Sequence, residues 1–176
     1  MNTNGVTDTY KAMVEEIITN GDSTVISNIN YAHAVYLTVK QYDRAEKKAE
    51  IITGSFAEET GDTSIRDAFC SMVKRIASNN GKVRVITTAY KAIPNWLETL
   101  HEKYQEALDI VFAQLKDPNN PVEHWITLDD KMYRREEPHK GFECQDVHAS
   151  VCFNDPVKAK EQSGSFDKIW GILKAA

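Results

Sequence analysis

Three consecutive segments constrain the fold more than anything else in the chain: "EIITGSF", "GDTSIRDAFCSMVKRIASNNG" and "KVRVITT". The first is apolar, β-branched and closed by glycine, so it reads as a short buried strand over 50–56. In the second, Ile65, Phe69, Met72, Val73 and Ile76 recur at helical spacing. Asp62, Thr63 or Ser64 can cap that helix, and Asn80–Gly81 stops it. In the third, Val83 and Val85 alternate with Lys82 and Arg84, the period of a strand with one buried face. A strand, a helix and a strand so closely joined make two parallel neighbours linked by a right-handed crossover.

The remaining segments extend this unit. A helix is expected from about Asp8 to Thr19, ending at "NGD". Residues 23–48 have mostly helical composition, although "STVISNINYAHAVYLTV" also suits a strand. A long helix is expected from Pro94 to Leu115, with Trp96, Leu97, Leu100, Tyr104, Leu108, Val111 and Leu115 inward, broken by "KDPNNP". Two strands follow around an Asp129–Asp130 turn. Another strand, "DVHASVCF", precedes a last helix that starts at "NDP" and carries Val157, Phe166, Ile169, Trp170 and Leu173. The fold class is therefore α/β, a mixed central sheet flanked by helices. There is no internal repeat or linker, so residues 1–176 are expected to form a single domain.

Charge limits the function. The formal net charge of −5 argues against a protein that coats nucleic acid in bulk, though not against a local basic groove. No apolar run approaches the roughly 20 residues that span a bilayer, and "MNTNGVTDTY" lacks the features of a signal peptide. Cys70, Cys144 and Cys152 have no close pairing, which fits a reduced, cytoplasmic protein. Cys144, His148 and Cys152 recur every four residues, but on a strand neighbouring members lie about 13 Å apart, too far for one metal ion. No metal or other cofactor is implied.

"AEIITGSF", "GKVRVIT", "HWITLDDKMYRRE" and "ASVCFNDPVKAKE…FDKIW", in this order, resemble the phospholipase-D-like superfamily over residues 30–174, with 1–29 a helical extension. More narrowly, they resemble its small single-copy members with a degenerate site. The resemblance implies chemistry built on His-x-Lys-x4-Asp. One histidine attacks phosphorus, a second from another copy acts as general acid, and lysines hold the phosphate oxygens. If Asp129 takes the aspartate position, His124 falls on the lysine and Val122 on the nucleophile. If His124 is the nucleophile, the lysine becomes Ile126 and the aspartate Lys131. Neither register completes the motif, and a one-residue shift would turn the following side chains to the other face.

The candidate catalytic residues are therefore His124 and Asp129, each with a structural alternative. His124 shares an apolar face with Val122, Ile126 and Leu128, so it is either a core histidine bonded to Asp129 or a backbone carbonyl, or a phosphate contact. Asp129 and Asp130 fit a turn in which aspartate bonds its own backbone. Thr53 and Gly54 end the first strand, where α/β folds place ligand loops, and they join His124, Lys131 and Arg134 as the expected ligand-binding set. Lys82, Arg84, Lys131, Arg134 and Arg135 are a basic group on or beside strands, but Glu136 and Glu137 make a solvated mixed-charge edge the expectation there. The resulting expectation is a binding or regulatory module for a nucleotide or other phosphate ligand, or for a protein partner. Its alternatives are a phosphodiesterase or nuclease using His124 and a stand-alone inhibitor or interaction protein. The resemblance further implies a homodimer that completes the site across its interface.

Overall fold

Helix α1 (Asp8–Asn20) starts where the Thr7 side chain accepts the Tyr10 amide, and ends at Gly21, whose left-handed backbone (φ 69°) closes the last turn. In this computed structural model residues 5–28, 30–54, 56, 61–88, 93–113, 123–137 and 148–175 are described. The stretch expected to be mostly helical divides into a three-residue strand, β1 (Ile26–Asn28), and helix α2 (Tyr31–Tyr42), capped by Asn30. The strand forms because β1 is the sheet's edge, where its backbone pairs with Ala149–Val151.

The central unit is as the sequence dictates. Strands β2 (Lys48–Thr53) and β3 (Lys82–Thr87) pair in parallel, joined by helix α3 (Thr63–Ser78) with Asp62 as its N-cap. Gly81 admits the chain to β3 because a Cβ there would lie 2.1 Å from the Lys47 carbonyl oxygen.

The long helix does not form. Helix α4 covers only Asn95–Lys103, and Leu108–Phe112 is strand β4, parallel to β3. Leu-Asp-Ile-Val-Phe is rich in β-branched and aromatic residues, and the open edge of β3 supplies its backbone partners. Leu115 lies outside the described residues.

Strands β5 (Trp125–Leu128) and β6 (Met132–Glu136) form a hairpin through Asp129 and Asp130 at φ 52° and 53°, a type I′ turn. Strand β7 (Ala149–Cys152) and helix α5 (Pro156–Ala175) complete the chain. The described strands form one mixed sheet in the order β1-β7-β6-β5-β2-β3-β4.

Its two faces are built differently. One packs Ile51, Val85, Ile126 and Val151 against the core residues of α1, α2 and α3, including Val14, Leu37 and Phe69. Across the other face runs α5, touching five strands in turn. Lys158 lies over Tyr133 of β6, and Gln162 donates to the Ile126 carbonyl and Thr127 hydroxyl of β5. Ser163 accepts from Lys48 of β2 at 2.7 Å, Asp167 pairs with Arg84 of β3 at 2.6 Å, and Lys174 with Asp109 of β4 at 3.2 Å. Beneath it Glu50 is fully buried between Lys48, at 3.1 Å, and Arg84, whose guanidinium also lies over Phe166 and Trp170. No described helix is long and apolar enough to cross a membrane.

A buried carboxylate that neutralises two cations is costly to remove, because the cations stay behind. Glu50→Ala should lose about 3 kcal/mol in urea denaturation, whereas Asp8→Ala, at an exposed pair with Lys11, should leave the midpoint unchanged.

Candidate functional site

His124 precedes β5 and Glu136 ends β6, so the hairpin brings them together: the Glu136 amide donates to the His124 carbonyl at 2.9 Å. Period-two alternation puts Met132, Arg134 and Glu136 on the face turned to α2 and α3, where Arg134 sits opposite Ile126 and Val151. Both carboxylate oxygens of Glu136 are engaged. Arg134 donates to one, and His124 Nδ1 lies 3.1 Å from the other. Burial alone would raise the carboxyl's pKa, but the adjacent Arg134 charge and the bonds from His124 and Arg134 outweigh it and hold Glu136 well below the usual carboxylate range.

The far side of the His124 ring faces the end of β2. A Cβ on Gly54 would lie 3.4 Å from both Cε1 and Nε2, ordinary contact distance, so the Gly54 backbone lies close to the ring on that side. The Gly54 carbonyl accepts from the Thr87 hydroxyl at 2.7 Å, and the Thr53 carbonyl from the Thr88 amide at 3.1 Å. Thr53, Gly54, Thr87, His124, Arg134 and Glu136 thus share one edge of the sheet. Asn28, buried at the end of β1, pairs in register with Ala149, which pairs with Glu136.

Two expected members lie elsewhere. Lys131 is exposed beyond the hairpin turn. Asp129 is about 17 Å from His124 by strand rise, too far to be its partner. Its carboxylate instead accepts the amides of Glu46, Lys47 and Lys48 at 2.8, 2.8 and 2.9 Å. Asp129 therefore anchors the entry to β2, and it bonds that segment's backbone, not its own. The His124 partner is Glu136.

The basic group also disperses. Arg84 pairs with Glu50, Arg135 with Glu123, and Arg134 with Glu136, while Lys82 reaches the Glu106 carbonyl at the end opposite His124. Glu136 is not part of a solvated edge. Its place in the Met132–Arg134–Glu136 alternation is the sequence signal for burial that adjacency to Glu137 obscured. Val122, Ser55 and Cys144 lie outside the described residues, and among the described residues no group of three His, Cys, Asp or Glu side chains is placed to hold a metal ion.

Chemically, the cluster is an imidazole oriented by a carboxylate that an arginine keeps charged. The Arg134 guanidinium and the Glu136 carboxylate balance one another within this cluster.

No family model matches the chain, and no curated protein matches it in sequence. Solved structures do match. A phospholipase D family member, Nuc from Salmonella typhimurium, superimposes with a TM-score of 0.58 at 13% identity, covering 84% of this chain and 95% of that one. NucT from Helicobacter pylori gives 0.60 at 14%, covering 84% and 96%. Phosphatidylserine synthase from Haemophilus influenzae gives 0.54 at 11%, covering 91% of this chain and 44% of that one. The chain has the phospholipase-D-like fold.

Two outcomes separate the roles of the two acidic candidates. Asp129→Ala, which removes the carboxylate that accepts three backbone amides, should cost about 2 kcal/mol of stability in urea denaturation. For Glu136 the folded-state pKa is depressed, so its contribution is complete above the ordinary value of 4.5 and drains away as pH falls below it. Urea midpoints taken between about pH 5 and pH 3 should fall more steeply for the native chain than for Glu136→Gln.

Proposed function

We propose that this chain is a single-domain phospholipase-D-like protein that binds a phosphate-bearing ligand at the Gly54–His124 edge without hydrolysing it. One observation carries the reading: the cation buried at that edge, Arg134, is committed to Glu136. Cleavage of a phosphodiester by histidine attack needs a nucleophile, a proton donor and fixed positive charge around the developing anion. In the register that places Asp129, the nucleophile position is Val122 and His124 occupies the lysine's. Lys131, the remaining candidate cation, belongs to the opposite end of the sheet. Binding asks for less. An imidazole fixed by Glu136 beside Gly54, at the partly exposed end of β2, supports contact with a phosphate oxygen.

A second reading, phosphodiesterase or nuclease, draws on the His124–Glu136 contact. A carboxylate bonded to one ring nitrogen is how enzymes orient a histidine base or nucleophile. Both readings accommodate a symmetric homodimer that brings two His124 edges together. In either case we place the protein in the cytoplasm.

The experiment is a thermal-shift series with inorganic phosphate and nucleoside monophosphates, beside hydrolysis of bis(p-nitrophenyl) phosphate without metal. At ligand well above Kd the melting temperature should rise by about 3 °C or more, His124→Ala should abolish the rise, and no nitrophenol should appear. Hydrolysis lost in His124→Ala would establish the enzyme reading instead. Light scattering should give a dimer at micromolar concentration, and a monomer would remove the paired-edge hypothesis.

A further inference from the structure

Helix α1 is held to α2 by an aromatic contact whose chemistry depends on pH. His33, in the first turn of α2, is 6% exposed and stacks on Tyr10 of α1, with ring centroids 3.8 Å apart and planes 14° from parallel. Tyr10 in turn meets Tyr36 edge-on at 6.3 Å. His33 Nδ1 is buried without a hydrogen-bond partner, and so is the Tyr10 hydroxyl. The Gly5 backbone carbonyl is the group that favours the charged ring.

Of the charged residues of the two helices, Asp8, Lys11, Glu15 and Lys40 are in ion pairs elsewhere, and Glu16 is exposed. On α1, Glu15 takes Lys40 and Arg44 from the α2 side and the Tyr36 hydroxyl, while Lys11 pairs with Asp8. From the segment before α2, Asn30 caps the His33 amide with its side-chain oxygen at 2.9 Å. Among the described residues no carboxylate pairs with the imidazole.

We propose that His33 is a pH-sensitive latch: a proton on its ring loosens residues 5–12 and the start of α1 from α2. A protonated imidazole would bury a charge together with an N–H donor at Nδ1 that has no acceptor, which costs more than the unpaired nitrogen of the neutral ring. Burial accordingly holds His33 below the ordinary imidazole range, with the Gly5 carbonyl opposing in part. The docked segment thus binds protons less readily than the released one. Its stability is complete above the ordinary imidazole range and declines as pH falls through it. Val14, fully buried, with Ile17 and Ile18 packed against the same core, keeps the second half of α1 in place, so the opening is local.

Amide hydrogen exchange on the full chain tests the latch. After correction for intrinsic rates, protection of the first α1 amides should be about threefold or more lower at pH 5.5 than at pH 7.5. His33→Phe, which keeps the stack and cannot protonate, should show equal protection at both. Equal protection in the native chain, or the same loss in His33→Phe, would overturn the proposal. If the variant does not fold, an NMR titration of the native chain decides: His33 should titrate below about 6.5, the value of an exposed imidazole, and titration at or above it would refute the latch.

Discussion

A carboxylate kept ionised beneath a sheet demands positive charge at the same depth, and that demand organises this molecule around Glu136. Arg134, two residues away on the same face, meets it from the strand itself, and His124 meets it across the hairpin. The geometry of the edge follows. The ring is fixed through Nδ1, and Gly54 lies against its other side. Glu50 poses the same demand on the opposite face and is answered by Lys48 and Arg84, which α5 then covers. Two buried acids, one per face, thus position the His124 edge and the helix that braces the sheet behind it.

The same electrostatics limit what the edge can do. A site for attack on phosphorus concentrates fixed cations around the transferring group, because charge accumulates there in the transition state. Here the arginine stabilises the protein's own carboxylate, and Asp129, which would close the family's motif, spends both oxygens on the chain before β2. The imidazole is held between the Glu136 carboxylate and the Gly54 backbone, the arrangement on which the proposed anion binding rests. The chain has the phospholipase-D-like fold, and the charges described at this end of its sheet are paired within the protein.

Much of this architecture was legible in the residues. The β2–α3–β3 unit announces itself by capping, glycine stops and two different hydrophobic periods, and α1 by its terminal Asn-Gly. The Asp129–Asp130 turn is legible for the same reason, since few other residues accept φ above 50° at two successive positions. What failed depended on partners distant in sequence. Leu108 and Val111 fit a helix as well as a strand, and only the free edge of β3 decides between them. Thr53, Gly54, His124 and Arg134 lie toward one end of the sheet because strand register aligns them, whereas Lys131, near them along the chain, lies at the other end. Glu136 was missed because its neighbour Glu137 made both look solvated, although its parity with Met132 and Arg134 marks it as inward-facing.

The most direct measurement of the central claim is a titration of the protein, labelled with nitrogen-15 in its histidine rings, with inorganic phosphate, following Nδ1 and Nε2 of His124. The account predicts a saturable shift at His124 Nε2, with Nδ1 still bonded to Glu136 and the same spectrum after prolonged incubation with a phosphodiester. No response at His124, or conversion of the diester during the incubation, would contradict it.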